Sequence, residues 1–297
     1  MRTKLAEELR CPADGAPLTL ESCQAADSLI TKGLFHCALC ERSFPIVDGI
    51  ADLRVLVGNN EAVTAKRREI AVRDAEAHEV YDRIVGEYRT CLEIQYTLKY
   101  LGTITGRRLL DFGCGTGRIT KALVQGGAEV SGVDYSMLSL HEAMSRVGGD
   151  GHGLDLIAAD IAALPFSAGS FDIVVSNQVL EHLVSAEHRN LMFESIAKML
   201  GPGGLALITA YNYVGSGVRQ GCSSAGVPFF CYDREMLKAD LTRFMDIEKI
   251  ICVDHQLPCR LPRRLGIPLG LWLDNLIACT KVSWRTGHLL LAVCAKR

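Results

Sequence analysis

From residue 107 onward, short apolar runs alternate with longer segments of helical character. Five runs of strand length occupy residues 108–112, 128–133, 154–159, 171–176 and 204–209. Strands that alternate with helices form parallel sheets, because each helix returns the chain to the same end of the sheet. Two further runs, 246–254 and 288–296, follow. The pattern predicts an α/β fold with a mostly parallel sheet and helices on both faces.

Two segments of different character precede these strands. Residues 1–57 are rich in cysteine, glycine and proline, and this composition separates them from the rest of the chain as a small module. Residues 58–101 look helical, with a charged stretch followed by the more apolar run CLEIQYTLKYL. We therefore predict three parts: a module at 1–57, a helical segment at 58–101 and an α/β domain at 102–297.

The run LLDFGCGTG at residues 109–117 carries the main candidate chemistry. A strand ends in Asp111, a glycine turn follows, and a helix begins near Thr116. Glycines let the backbone approach a ligand closely, and the helix start adds N–H groups that have no partner within the helix. A second acid, Asp134, ends the next strand, where it can accept hydrogen bonds from two ribose hydroxyls. Together these features predict a nucleoside-cofactor site at the carboxyl edge of the sheet.

The spacing of the glycines narrows the choice of cofactor. A dinucleotide fingerprint needs a glycine at the sixth position from Gly113, and that position holds Arg118. Asp160 also ends the third apolar run, and the fourth leads into the stretch VLEH. Over about residues 75–297 this series resembles the class I S-adenosylmethionine-dependent methyltransferases, in particular the small-molecule enzymes. The resemblance implies a Rossmann-like seven-stranded sheet whose final strand inserts antiparallel. The alternatives are a dinucleotide or nucleotide site without methyl chemistry and a site that binds the cofactor without catalysis.

The resemblance also implies roles for residues of the first two strands. Gly113, Cys114 and Gly115 are expected to lie against the methionine part of the cofactor. Asp111 is expected to help place the amino group of that part. Asp134 is expected to bind the two ribose hydroxyls.

Residues after the later strands complete the expected cofactor site. Asp160 is expected to accept a hydrogen bond from the adenine amino group, and the Ile161 N–H to donate to the ring. Asn177 and Gln178 are expected beside the sulfonium. Tyr135, which follows Asp134 in the chain, is also expected to contact the cofactor.

Further candidates lie around the mouth of this site. The resemblance implies that Tyr81, in the helical lid, contacts the cofactor, although a packing role in its helix fits equally. His182 is a candidate general base for the acceptor, and the alternative is that it fixes its own loop. The glycine-rich segment 210–230 is a natural acceptor-binding element, or else an ordered surface loop with its aromatic residues in the core. The candidates to line the acceptor pocket are Tyr211, Asn212, Tyr213, Phe229, Phe230 and Tyr232.

The front module carries a candidate metal site. Cys37 and Cys40 form a C-x-x-C pair, and Cys11 and Asp14 form the related pair C-x-x-D. Paired C-x-x-C units hold structural zinc, because both thiolates of a pair reach one ion. The module resembles the zinc-ribbon-like domain that serves methyltransferases as an activator subunit or as a fused front module, most clearly in FPIVDGI. We predict a structural zinc site here, with Cys23 as an alternative ligand to Asp14 and a metal-free module as the alternative.

Bulk properties exclude some functions. The net charge of −2 and the pI of about 6.5 argue against a broad nucleic-acid surface, which needs clustered lysine and arginine. Twelve cysteines in 297 residues, eight of them beyond residue 90, indicate a reduced, cytoplasmic protein. The sequence predicts no signal peptide and no transmembrane span. The segment 257–287, with a basic front and an apolar stretch behind it, suggests a peripheral membrane contact or a site for an apolar substrate, or else a packed helix or dimer contact.

These observations favour a methyltransferase that acts on a small or apolar metabolite at O, N or C, mainly by positioning and desolvation. One rival is an rRNA base methyltransferase whose zinc-binding module docks RNA. The other is a non-catalytic partner subunit that binds the cofactor for stability. The sequence does not define the acceptor or the oligomeric state.

Overall fold

The computed structural model describes residues 1–26, 29–55, 80–148, 153–222, 228–255 and 264–297, without the side chains of residues 26, 80–85, 215 and 216. The helices are α1 Thr3–Glu8, α2 Val80–Leu101, α3 Arg118–Gln125, α4 Met137–Val147, α5 Ala186–Met199, α6 Tyr213–Ser216, α7 Arg234–Leu241, α8 Ile267–Ala278 and α9 Ser283–Thr286, with a 3₁₀ turn at Leu180–His182. The strands are β1 Thr19–Ala26, β2 Leu29–His36, β3 Ser43–Val47, β4 Ile50–Asp52, β5 Arg108–Phe112, β6 Glu129–Asp134, β7 Leu154–Ala158, β8 Phe171–Ser176, β9 Leu200–Tyr211, β10 Gln220–Cys222, β11 Pro228–Phe230, β12 Met245–His255 and β13 Gly287–Lys296.

The main sheet contains the seven predicted strands in the order β7-β6-β5-β8-β9-β13-β12. Strands β5 to β9 are mutually parallel, and β13 is antiparallel to both of its neighbours. The predicted mostly parallel fold is confirmed. Because strand order reverses beside β5, the carboxyl ends of β5, β6 and β8 flank a crevice in which α/β proteins bind ligands.

The front module extends this sheet to eleven strands, which the sequence pattern did not predict. Strand β4 pairs in parallel with β7, with Ala51 opposite Ile157, and the Leu53 N–H donates to the Ala158 carbonyl at 2.8 Å. Phe35 and Leu53 belong to the same buried cluster as strand residues of the α/β domain. The module and the α/β domain therefore share one sheet and one core. The boundary near residue 57 remains a prediction, since residues 56–79 lie outside the described part.

Capping side chains set several helix starts. Ser136 accepts the Ser139 N–H ahead of α4, and Asp233 accepts the Met236 N–H ahead of α7. Such caps satisfy N–H groups that the helix itself leaves without acceptors. Helix α2 bends at Gly86, whose φ of 70° interrupts the helical backbone. None of the described helices is both long and apolar enough to cross a membrane.

Candidate active site

The glycine loop joins β5 to α3 and is closely packed on one side. Gly113 has φ of 78°, and a Cβ added there would lie 2.3 Å from Cγ2 of Val179. Gly117 has φ of 77°, and an added Cβ would lie 2.9 Å from Ala143. At Gly115, in contrast, an added Cβ would meet no atom within 4 Å. The loop is therefore held against the loop after β8 and against α4, while its middle leaves room for a ligand.

Asp134 ties the glycine loop to the end of β6. One of its carboxylate oxygens accepts the Gly115 N–H at 2.8 Å, and the other accepts the Ser136 N–H at 3.0 Å. Because each carboxylate oxygen has more than one acceptor position, a carboxylate can accept from backbone N–H groups and from ribose hydroxyls together. The structure thus brings together the two acids and the glycines that the sequence singled out.

Asp111 lies beneath the loop. Its carboxylate is 2% exposed and accepts a hydrogen bond from the Thr120 hydroxyl of α3 at 2.6 Å. Burial raises the pKa of Asp111 to about 6. The side chain therefore braces α3 against the sheet from below, and its expected influence on the cofactor amino group remains a prediction. Thr120 gave no signal in the sequence, because a threonine in a helix is common.

The side of the crevice where adenine is expected includes a residue of the front module. Asp160 is buried and accepts the Ala162 N–H at 3.0 Å, while Ile161 is half-buried against the core. The Arg54 guanidinium donates to the Tyr135 carbonyl at 3.2 Å and lies 5.8 Å from the centroid of its ring. Sequence reasoning missed Arg54, and its only signal was a charged residue just after the short buried run of β4.

The two residues after β8 differ in their surroundings. The Gln178 N–H donates to the Thr209 hydroxyl at 2.9 Å, and the Gln178 side-chain amide donates to Glu93. The amide nitrogen and oxygen of Asn177 are both buried and have no hydrogen-bond partner in the described part of the chain. Buried amides are nearly always paired in folded proteins, so this one fits a polar ligand beside β8.

Glu93 of α2 joins three parts of the site. Its carboxylate is completely buried, pairs with the Arg118 guanidinium at 2.9 Å and accepts the Gln178 amide. Arg118 also donates to the Thr90 hydroxyl at 3.0 Å. Burial raises the pKa of Glu93. The pair fastens α2 to the start of α3 and to the loop after β8, and an acid inside the apolar run CLEIQYTLKYL was its sequence signal.

We expect Glu93→Gln to lower the free energy of unfolding by about 3 kcal/mol, because it leaves the buried Arg118 guanidinium without its counter-charge. Urea unfolding measures the change. Glu87→Gln, at an exposed position on the same helix, is the matched control and is expected to change little. Equal effects of the two substitutions would contradict a structural ion pair at Glu93.

His182 is the last residue of the 3₁₀ turn at Leu180–His182, five residues after Asn177. Its side chain is half-buried. The neighbouring Glu181 is completely buried. This position suits contact with an acceptor, and the role of general base remains a prediction. The Tyr81 side chain lies outside the described residues, so its place in a lid remains a prediction as well.

Three of the six expected acceptor-pocket residues lie in the interior. Asn212 is 1% exposed, and its amide donates to the Gly287 carbonyl at 2.8 Å. The Tyr232 hydroxyl donates to Asp240 at 2.9 Å, and the Tyr232 ring packs edge-on against Phe230. These side chains fasten the segment after β9 to its neighbours, which matches the alternative of aromatic residues anchored in the core.

The other three remain candidates for acceptor contact because they are half-buried. The Tyr211 ring lies 5.0 Å from that of His288, and the Arg219 guanidinium lies 4.1 Å from the centroid of Tyr213. Phe229 belongs to β11, which forms a hairpin with β10. Strand β11 packs against the 3₁₀ turn that carries His182. The hairpin is therefore adjacent to the expected position of methyl transfer.

The four predicted metal ligands of the front module converge. The Sγ atoms of Cys11 and Cys40 are 3.6 Å apart, and Sγ of Cys37 lies 3.4 Å from an oxygen of Asp14. All four ligand atoms lie within 4.8 Å of one another. Tetrahedral zinc with bonds of about 2.3 Å to sulfur requires sulfur–sulfur separations of roughly 3.8 Å, so the donor set fits zinc. Cys23 is exposed on β1 and is not among the four.

Comparison with known proteins adds family information. Residues 110–208 match a family described as a methyltransferase domain. A ubiquinone biosynthesis O-methyltransferase of Sinorhizobium fredii is 34% identical over 109 residues, which is 37% of this chain and 43% of the relative. The chain thus matches less than half the length of this relative.

Solved structures show the same fold. A 1,6-didemethyltoxoflavin-N1-methyltransferase of Burkholderia thailandensis superposes with a TM-score of 0.54 over 88% of this chain and 98% of the other, at 18% identity. One chain of the complex between the Haloferax volcanii Trm112 methyltransferase activator and a methyltransferase superposes with a TM-score of 0.55 over 75% of this chain and 96% of the other, at 19% identity. The family match therefore places a methyltransferase domain at residues 110–208, and the superpositions show that the chain has the fold of these methyltransferases.

Proposed function

We propose that the protein transfers a methyl group from S-adenosylmethionine to a small or apolar metabolite. The observation that carries the proposal is the junction of the glycine loop with Asp134, beside the orphaned Asn177 amide. At one edge of the sheet this junction combines the exposed backbone of the glycine loop, an acceptor for the ribose hydroxyls in Asp134, and a polar side-chain amide in Asn177 that a ligand could pair with.

Different residues around the crevice would bind different parts of the cofactor. Gly113 and Gly115 leave backbone surface for the methionine part, Asp134 accepts from the ribose, and Asp160 accepts from the adenine amino group. When bound, S-adenosylmethionine supplies an electrophilic methyl group on its sulfonium. The Asn177 amide orients the cofactor near that group. The protein then contributes alignment of the acceptor and exclusion of water, which together account for much of the barrier reduction in such displacements.

The acceptor is a small molecule with an apolar body, such as a specialised metabolite or a quinone-like ring. The name of the relative in Sinorhizobium fredii, a ubiquinone biosynthesis O-methyltransferase, supports a ring hydroxyl as one acceptor class. Tyr211, Tyr213 and Phe229 are the half-buried aromatic residues that would contact the acceptor. His182 in its neutral form would accept the proton of the hydroxyl.

The metal site has a structural role in this proposal. Four protein ligands complete a tetrahedral zinc ion and leave no position for substrate. Zinc held by Cys11, Asp14, Cys37 and Cys40 would stabilise the loops of the front module. We also place the protein in the cytoplasm, since twelve cysteines spread through a chain of 297 residues are typical of a reducing compartment.

Cofactor binding tests the proposal directly. We expect Asp134→Asn to weaken S-adenosylmethionine binding about 30- to 100-fold, because charge-assisted hydrogen bonds to the ribose are lost. Isothermal titration calorimetry measures the affinity. Asp246→Asn, an exposed acid on β12, is the control and should bind like the parent protein. If the Asp134 variant binds S-adenosylmethionine with unchanged affinity, Asp134 does not bind the ribose hydroxyls.

Transfer of a radiolabelled methyl group into fractions of a cell lysate identifies the acceptor class. Label in the organic or small-molecule fraction is the expected result. Label in RNA would favour the rival rRNA methyltransferase, and binding without any transfer would favour a non-catalytic partner subunit.

A further inference from the structure

Helix α8 presents two contrasting faces. On its inner face Gly270 is buried and Asp274 is completely buried. The Asp274 carboxylate accepts hydrogen bonds from the backbone N–H of His255 at 2.8 Å and from the Tyr96 hydroxyl at 3.2 Å. These bonds fix the rotation of the helix on β12 and α2. The outer face is therefore held toward solvent by the fold and is not a result of loose packing.

The outer face is apolar. Leu269 is 59% exposed and Trp272 is 62% exposed. Leu265 and Leu276 are also exposed, so the spacing along the chain is four, three and four residues. At 100° per residue Leu269, Trp272 and Leu276 form one stripe of α8 opposite Asp274, and Leu265 precedes the helix across Gly266. Three large apolar side chains on one helix face, with a fourth just before the helix, mark a contact surface, unlike single exposed leucines.

The charges around the stripe have one sign. Arg264 precedes α8, and Lys281 and Arg285 follow it, all of them exposed. Asp274 is the only acid between residues 264 and 287, and it is buried on the inner face. The exposed surface of this segment therefore consists of an apolar stripe with one basic residue before it in the chain, Arg264, and two after it, Lys281 and Arg285.

We propose that this α8 face, consisting of Leu265, Leu269, Trp272 and Leu276 with Arg264, Lys281 and Arg285, docks on the surface of an anionic lipid bilayer. Leucine and tryptophan enter the boundary between headgroups and acyl chains, while arginine and lysine pair with lipid phosphates. A helix that lies in the interface needs this combination of an apolar face and flanking bases. The proposal does not depend on methyl transfer.

A second copy of the chain suits the α8 face less well. Four such side chains expose roughly 400 Å² of apolar surface, about half of what each partner buries in a stable protein interface. Two copies would also bring like charges together at both ends of the helix. A bilayer gains from the same bases, because its surface potential is negative.

The position of α8 relates this docking to the site. The segment that contains α8 leaves the sheet at His255 and returns at Gly287, which are paired across β12 and β13. Since β12 runs in the same direction as β9, this is the carboxyl edge that also holds the glycine loop. Docking through α8 would therefore bring the carboxyl edge of the sheet toward the bilayer, and not the opposite edge.

Vesicle flotation tests the proposal. We expect the full chain to float with vesicles of phosphatidylcholine and phosphatidylglycerol, and to float far less with phosphatidylcholine alone or at high salt. Leu269→Glu/Leu276→Glu should weaken the association about tenfold or more. Leu191→Glu, at an exposed leucine of α5, is the matched control and should bind as the parent does.

Fluorescence provides a local readout. The chain has two tryptophans, so Trp284→Phe leaves Trp272 as the sole reporter. Its emission should shift to the blue on addition of anionic vesicles.

Three results would overturn the proposal: no flotation with anionic vesicles, equal flotation of the double variant, or a lipid-independent dimer that the double variant abolishes. If the double variant keeps its affinity for S-adenosylmethionine and its melting temperature, misfolding is excluded. The flotation result stands whether or not the protein transfers a methyl group.

Discussion

Replacement of Gly113 by alanine is expected to abolish S-adenosylmethionine binding and to lower the free energy of unfolding by about 3 kcal/mol or more. Two physical effects add. The φ of 78° is unfavourable for any residue with a Cβ, and the new methyl group would lie 2.3 Å from Cγ2 of Val179. The loop after β8 must therefore move, and that loop carries Asn177. Calorimetry with the cofactor and urea unfolding measure the two losses.

Other glycines separate these effects. Gly203 has φ of 68° and open space around its Cβ position, so Gly203→Ala should show backbone strain of about 1 kcal/mol without loss of binding. Gly115→Ala adds a methyl group in open space at a φ of 51°, so it should show a similar backbone strain of about 1 kcal/mol but, unlike Gly203→Ala, should weaken cofactor binding. Adding Val179→Ala to the Gly113 variant should restore part of the stability. Full cofactor affinity in Gly113→Ala would refute the proposed packing of the loop.

Removal of zinc is expected to have the second large effect. Chelation, or the substitution Cys11→Ser, should lower the melting temperature by about 10 °C or more, because metal binding energy at a structural site is folding energy. The loss should reach the cofactor site, since β4 pairs with β7 and Arg54 contacts Tyr135. Differential scanning calorimetry and elemental analysis of the purified protein measure stability and metal content together.

Cys23 supplies the matched control. It lies in the same module, but its thiol is exposed and outside the four-ligand group, so Cys23→Ser should keep both the metal and the melting temperature. Asp14→Cys should retain zinc more strongly against chelators, because a fourth thiolate replaces a carboxylate. A protein that contains no zinc and tolerates Cys11→Ser would show that the module is held by its apolar core alone.

The local sequence was sufficient for the frame of the site. The strand runs, the glycines at positions 113, 115 and 117, and the acids Asp134 and Asp160 lie close together in the chain, and their spacing alone implies one edge of a parallel sheet. The antiparallel last strand came from the family resemblance. The four metal ligands also followed from spacing, although only the structure showed that Asp14 faces the three thiols.

Tertiary structure decided the remaining features, because they depend on pairs of residues far apart in the chain. Glu93 and Arg118 look like ordinary charged residues until folding buries them together. Asn212 and Tyr232 look like pocket residues until interior partners, Gly287 and Asp240, satisfy them. Strand β4 joins the main sheet only because the edge of β7 offers unpaired backbone groups that no local pattern reveals. The sequence by itself determined the seven strands of the α/β domain and which chemistry meets at their ends, whereas burial and long-range pairing determined how the front module joins the sheet and which side chains face a ligand.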